Sequence, residues 1–357
     1  MKKIVLKKDT KIYIMAPANS FTGGPELLHQ IAISIKKIFK VNPIMFYLPV
    51  KDHNPIHKQF KKYKLNFSNS IEDQSQNILI IPEHYMFLKY SQKFKNIKKI
   101  LWWLSLDNYF GYKFKYDYNK FLRSIIKIPF NICNFFNKIT KYQFGIFTIH
   151  DYLRLFYKNS KLNNFVEFQK INLHLSQSHY AYYYLKKYFQ NIKYLSDFQR
   201  SVIIKNFKKK KLKRNIICYS NKSNDFLDYL KSNSNFKMIK LIGYNDKQLI
   251  NIFRKTKIYM DFGYHPGKDR MPREAVLFDN CIITNQKGSA LNNLDIPIKN
   301  RYKFKEIQSN IPEIKKLIKK ILNEYKNEIK NFKTYQKIVL REKFKFEKDL
   351  RNIFVRF

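Results

Sequence analysis

"IYMDFGYHPGKDRMPREAVLFDNCIITN", Ile258 to Asn285, has the pattern strand, loop, helix, strand. "IYMDFG" and "CIITN" are short runs rich in β-branched, aromatic and other apolar residues. Between them Pro272 marks a helix start, which puts Arg273 and Glu274 in its first turn, and Asn280 suits a left-handed cap. The loop therefore falls at the carboxyl edge of a parallel sheet, where open α/β sheets place their ligands. A phosphate there would meet helix N–H groups and the fork of Arg270 or Arg273, while Glu274 can accept two hydrogen bonds from a vicinal diol such as ribose. The competing reading has Glu274 complement the helix dipole with both arginines solvated.

The same rhythm extends in both directions. "IICYS", "MIKLIGY", "IYMDFG" and "CIITN" are strands separated by the helices "FLDYLKS", "DKQLINIFRKTK" and "PREAVLF". Earlier, "KIYIM", "IMFYL", "NILII", "ILWWLSL" and "INLHLSQS" alternate with helical stretches or long connections. Continuous apolar strands of this kind belong to parallel sheets covered on both faces. Two Rossmann-like domains follow: residues 1–206, with an insertion at about 110–165, and 207–325, which opens on the linker-like charge run "FKKKKLKRN". Residues 326–357 read as a helix crossing back to the first domain.

The 357 residues carry 70 Lys and Arg against 26 Asp and Glu, a formal charge of +44. That balance favours polyanionic partners: nucleic acid, an anionic membrane face, or phosphorylated substrates. Lysine is spread over the whole chain together with Asn, Ile, Phe and Tyr, as a nucleotide-biased genome would also produce. Cys133, Cys218 and Cys281 have no paired spacing and read as buried thiols in a reducing compartment. With no signal-like start and no long uncharged apolar stretch, the expectation is a cytoplasmic protein, soluble or peripheral at the inner face of the membrane. "FLRSIIKIPFNICNFFNKITKY", Phe121 to Tyr142, carries only positive charge and many large apolar side chains. Its apolarity favours an insertion helix packed on the first domain; the alternative is an interfacial segment on anionic lipid.

No P-loop, G-x-G-x-x-G, G-x-S-x-G, H-E-x-x-H or D-x-D pattern occurs, and the eight histidines show no ligand spacing, so no metal and no cofactor is expected. After the first strand, "APANSFTGGPELLHQ" offers Gly23 and Gly24, which permit positive φ and close backbone approach, and Glu26 at the positive end of the following helix dipole. An ordinary tight βα turn has the same pattern. Asp107 and Glu83 end apolar runs where cleft-facing carboxylates are expected, and either suits a general base or a turn.

"PANSFTGGPELLHQ", "ILWWLSLDNY", "LHLSQSHYAYYYL" and the Asp261 to Ala290 segment together resemble bacterial GT-B glycosyltransferases of the surface polysaccharide type, capsular or O-antigen. The resemblance implies two domains facing a cleft, a nucleotide-sugar donor on the C-terminal domain, a glycan acceptor, lipid-linked, on the N-terminal one, and no obligatory metal. Glu274 matches the second Glu of the E-x7-E motif and is implied to bind the donor ribose. Pro266 stands where the first Glu belongs, so the sugar-contacting carboxylate is missing or is replaced by His265 or Asp269. Lys222 in "CYSNKSND" and Arg270 would hold the diphosphate, with Lys268, Arg273 and Ser289 completing the donor set. Two rivals remain: a basic nucleic-acid-binding protein, for which no nucleic-acid motif speaks, and a GT-B-fold sugar-binding partner without catalysis.

Overall fold

The computed structural model describes residues 3–50, 54–140, 149–157, 165–208, 212–222, 224–305 and 310–356. The chain divides into two units, Met1–Asp197 with Lys345–Phe357, and Phe198–Phe344. The sequence reading sets these limits at 206/207 and 325/326. The first difference arises because helix Ser201–Asn206 places Ile203 in the second unit's core.

In the first unit the strands are β1 (Ile4–Leu6), β2 (Ile12–Pro17), β3 (Ile44–Leu48), β4 (Asn66–Phe67), β5 (Ile78–Pro82), β6 (Lys98–Trp103), β7 (Ile171–Ser176) and β8 (Ile192–Tyr194). The helices are α1 (Gly23–Phe39), α2 (Tyr85–Ser91), α3 (Leu106–Asp117), α4 (Lys120–Ile126), α5 (Ile128–Thr140), α6 (Ile149–Phe156) and α7 (His179–Leu185). Seven strands form one sheet in the order β4-β3-β2-β5-β6-β7-β8, every pair parallel. Helices cover both faces, so β5 is buried at all five positions, which is why it reads as an unbroken apolar run rather than an alternating one. Helix α1 buries Leu27, Leu28, Ile31, Ala32 and Ile35, the stripe its three-and-four spacing predicts.

The second unit contains α8 (Ser201–Asn206), β9 (Arg214–Ser220), α9 (Asn224–Ser232), β10 (Lys237–Leu241), α10 (Asp246–Lys255), β11 (Thr256–Asp261), α11 (Arg270–Leu277), β12 (Cys281–Asn285), β13 (Lys303–Phe304), α12 (Ile311–Asn323) and α13 (Tyr325–Glu328). Its sheet has the order β10-β9-β11-β12-β13, again parallel throughout. Helix α14 (Lys333–Ile353) begins in this unit and ends in the first, where β14 (Phe354–Arg356) pairs in parallel with β1. Cys218 and Cys281 are buried in this sheet, whereas Cys133 is half-buried on α5.

Both strand orders reverse direction once. In the first sheet the chain steps outward from β2 to β3 and β4, then returns to β5; in the second it steps from β9 to β10, then returns to β11. Helices leaving two neighbouring strands toward opposite faces open a crevice at their carboxyl ends, which is where such sheets bind ligands. The first turn of α1, which follows β2, carries Gly23, Gly24 and Glu26, and the loop after β5 carries Glu83. The loops after β9 and β11 carry Lys222 and the Gly263–Asp269 run.

Candidate functional site

The loops after β9 and β11 touch. A Cβ on Gly263 would come within 2.4 Å of Lys222 Cβ and 3.0 Å of its backbone, so only glycine lets the two strand ends close together. Farther along, Gly288 has φ +60 and a Cβ there would lie 2.1 Å from the His265 carbonyl oxygen. Ser289 N–H donates to that same carbonyl at 2.8 Å, and Ser289 Oγ donates to Gly267 O at 2.6 Å. Ser289, expected on the donor, instead pins the loop that precedes α11.

Inside that loop lies a chain of charges. His265 is fully buried, with Nδ1 2.9 Å from Asp269 Oδ2 and Nε2 3.7 Å from Asp261 Oδ1. Burial alone would lower its pKa, but the two carboxylates outweigh burial and raise it above 6.5. Lys222 Nζ lies 2.9 Å from Asp269; burial opposes its charge, and Asp269 and Asp261 overcome it. Burial would raise the Asp269 pKa, yet contact with His265 and Lys222 holds it well below the ordinary carboxylate range. One ligand atom each from Asp261, His265 and Asp269 lie within 4.8 Å of one another, close enough to share a metal ion. The two carboxylates already face two cations, so the cluster balances its own charge as an ion-pair network. His265 is thereby held away from a role as a replacement sugar ligand.

Helix α11 sorts the expected residues into two groups. It starts at Arg270, with Asp269 as N-cap, two residues earlier than Pro272 suggests. Arg273 is fully buried: Nη1 donates to Glu342 Oε2 at 3.0 Å, Nη2 to Lys268 O at 3.0 Å and Nε to Asp269 O at 3.1 Å. Lys268 Nζ lies 3.2 Å from Glu342 Oε1. Arg273 and Lys268, both expected in the donor set, thus tie the loop to α14 through Glu342. The left-handed residue after α11 is Asp279, φ 56, not Asn280, whose amide nitrogen donates to Ala275 O and Phe253 O.

Arg270 and Glu274 behave differently. Arg270 Nη1 is buried and has no hydrogen-bond partner, and the same holds for Glu274 Oε2. Their spacing of four places both on one face of the helix. Glu274 Oε1 accepts from Arg200 Nη2 at 3.2 Å, and Arg200 Nη1 donates to Asp246 at 2.6 Å. Arg200 and Glu342 escape a sequence reading because each lies about seventy residues from its partner and no local motif marks them.

In the first unit, α1 begins at Gly23 itself, yet neither Gly23 nor Gly24 has positive φ; the left-handed residue of that loop is Asn19, φ 50. A Cβ at Gly23 would meet nothing within 4 Å, so the expected need for glycine there is not met. Glu26 is buried and accepts from Tyr63 Oη at 3.0 Å. Asp107 does not end a strand: β6 stops at Trp103, and Asp107 sits in the first turn of α3. It is fully buried, 3.7 Å from Arg154 Nη1, and accepts from Tyr180 Oη at 3.3 Å. Glu83 follows β5, is buried, and its Oε2 accepts from Leu104 N–H at 3.0 Å. Desolvation pushes its pKa up to about 7, against the opposing hydrogen bonds from Leu104, its own N–H and Ser105.

No family model matches the chain, and no curated protein does. Among solved structures, Anabaena HepE in complex with UDP-glucose aligns over 96% of this chain and 98% of its own, with TM-score 0.54 and 9% identity. Sucrose-phosphate synthase from Thermosynechococcus elongatus aligns over 96% and 94%, with TM-score 0.51 and 9% identity. The fold is GT-B. At such identity the likeness establishes the architecture, as the resemblance implies, and the GT-B assignment agrees with two parallel-sheet units whose switch points carry the candidate residues.

Proposed function

We propose that the protein is a glycosyltransferase that moves a sugar from a nucleotide-sugar donor to a glycan acceptor, with the donor held by the second unit. The observation that carries this reading is the open pair on α11: a guanidinium N–H and a carboxylate oxygen, both buried and both without partners. Unpaired buried polar groups are costly, and a ligand that satisfies them recovers that cost on binding. A nucleoside diphosphate supplies both complements, ribose hydroxyls for Glu274 Oε2 and phosphate oxygens for Arg270.

Arg270, supported by Lys222, would then stabilise the negative charge that develops on the leaving diphosphate. This places the electrostatic work on protein cations, and we propose that no metal is required. Glu83 is the proposed general base on the acceptor side, since a carboxyl titrating near 7 is matched to accepting a proton from a hydroxyl at neutral pH. A UDP-hexose is the donor to test first, because the HepE structure holds UDP-glucose. The proposed acceptor is a lipid-linked surface glycan of the capsular or O-antigen type, met at the cytoplasmic face of the membrane.

Slow release of UDP from UDP-glucose without acceptor is the direct assay. The wild type is expected to release UDP and Arg270→Ala to lose most of that rate. Nucleotide binding with no turnover in the presence of any acceptor would favour the non-catalytic reading, which Pro266 in the first-Glu position motivates.

A further inference from the structure

Helices α4 and α5 carry the densest exposed apolar surface among the described residues. Phe121 is 73% exposed and Phe135 60%, with Leu122, Ile125, Ile128, Ile132 and Phe136 between 43% and 50%. No side chain of α4 is buried. The sequence expectation of a helix packed on the first domain is therefore overturned for this face. Its cause is register: Phe121, Ile125, Ile128, Ile132 and Phe135 follow one another at steps of four and three, which is one stripe of a helix. The stripe continues across the junction, where Asn131 N–H donates to Lys127 O at 2.9 Å.

The charge on this segment has a single sign. From Lys120 to Thr140 there is no Asp or Glu, while Lys120, Arg123, Lys127 and Lys138 are basic. Lys120 is exposed and Lys127 half-buried, and by helical spacing both fall on one flank of the apolar stripe, while Arg123 lies on the opposite face of α4. An apolar stripe edged by cations is complementary to a surface that offers hydrocarbon beneath a layer of negative headgroups. A protein partner would have to present an acidic apolar groove. A second copy of this chain brings the same positive charge to the contact, which opposes self-association through this face. No helix among the described residues is long and apolar enough to cross a membrane, so the stripe would lie in the interface.

We propose that the exposed face of α4 and α5 docks the protein onto an anionic phospholipid bilayer. This proposal does not depend on nucleotide-sugar binding and stands or falls separately from it. The test is flotation of the full chain with vesicles of phosphatidylcholine alone and of phosphatidylcholine with phosphatidylglycerol, at low and high salt, without nucleotide. The wild type is expected to float with the anionic vesicles at low salt. A Phe121→Ser/Phe135→Ser variant is expected to lose at least about tenfold in partitioning, with its unfolding midpoint unchanged because both rings are exposed. UDP-induced thermal stabilisation, read on the same variant, reports the donor site independently. Three outcomes would overturn the proposal: no flotation of the wild type, equal flotation of the variant, or a wild-type dimer that the variant converts to monomer without any vesicle binding.

Discussion

Arg200 holds Glu274 by one carboxylate oxygen only: Nη2 to Oε1 is 3.2 Å, while Oε2 is buried and unpartnered. The guanidinium thus fixes the carboxylate without closing it. Removing the cation takes away the one ion-pair partner that Glu274 Oε1 has among the described residues. Arg200→Met is expected to destabilise the protein by about 3 kcal/mol in urea unfolding at pH 8. Arg200→Lys should restore part of the stability.

Arg270 predicts the opposite pattern. Its Nη1 is buried without a partner, so Arg270→Ala is expected to leave stability unchanged within about 0.5 kcal/mol or to raise it. Donor KM should rise about tenfold or more, as expected when a charged contact to phosphate is lost. Arg273→Ala, by contrast, should lower stability by about 3 kcal/mol or more, because it takes from buried Glu342 one of its two cations and from Lys268 O and Asp269 O the donor that Arg273 supplies. Equal stability losses for the two arginines would contradict the division drawn between them.

Glu83 links pH to both rate and stability. Its pKa, raised from 4.5 to about 7, means the folded state favours the protonated form. That advantage is full below 4.5 and is lost as pH rises through about 7. Glu83→Gln, which cannot ionise, is expected to be more stable than the wild type at pH 8 by roughly 2–3 kcal/mol and to lose that gain by pH 4. As a general base the residue must be ionised, so kcat/KM should rise with pH through about 7. The Gln variant should lose about a hundredfold or more in kcat.

Gly288 is fixed by space as well as by conformation. Its φ is +60, and an added Cβ would stand 2.1 Å from the His265 carbonyl oxygen. Gly288→Ala is therefore expected to cost about 2–4 kcal/mol in thermal or urea unfolding. Because the same carbonyl accepts from Ser289, the displaced loop should also weaken nucleotide binding. Gly23→Ala, with open space at its Cβ, should cost far less.

The alternation of apolar runs with helices places most strands, because a strand buried on both faces must be apolar along its length. The same logic misplaces Asp107: an apolar run cannot distinguish the last residues of a strand from the first buried turn of a helix, and "ILWWLSLD" contains both. Arg270 and Arg273 are equivalent as letters; only the fold shows Glu342 beside Arg273 and leaves Arg270 Nη1 unpaired. Arg200 and Glu342 are illegible for the same reason, since each acts on a residue far away in sequence. Apolarity between Phe121 and Phe136 suggests a core, whereas exposure depends on what packs against it.

The central claim is that Glu274 Oε2 and Arg270 await a nucleoside diphosphate. A thermal-shift panel of UDP, GDP, ADP, CMP and dTDP and their sugars, run on the wild type and Glu274→Gln, tests it most directly. The account predicts that one nucleotide series raises the wild-type melting temperature and that Glu274→Gln, measured against its own ligand-free melting temperature, loses most of that increment. Stabilisation of neither protein by any of these compounds, or equal stabilisation of both, would contradict it.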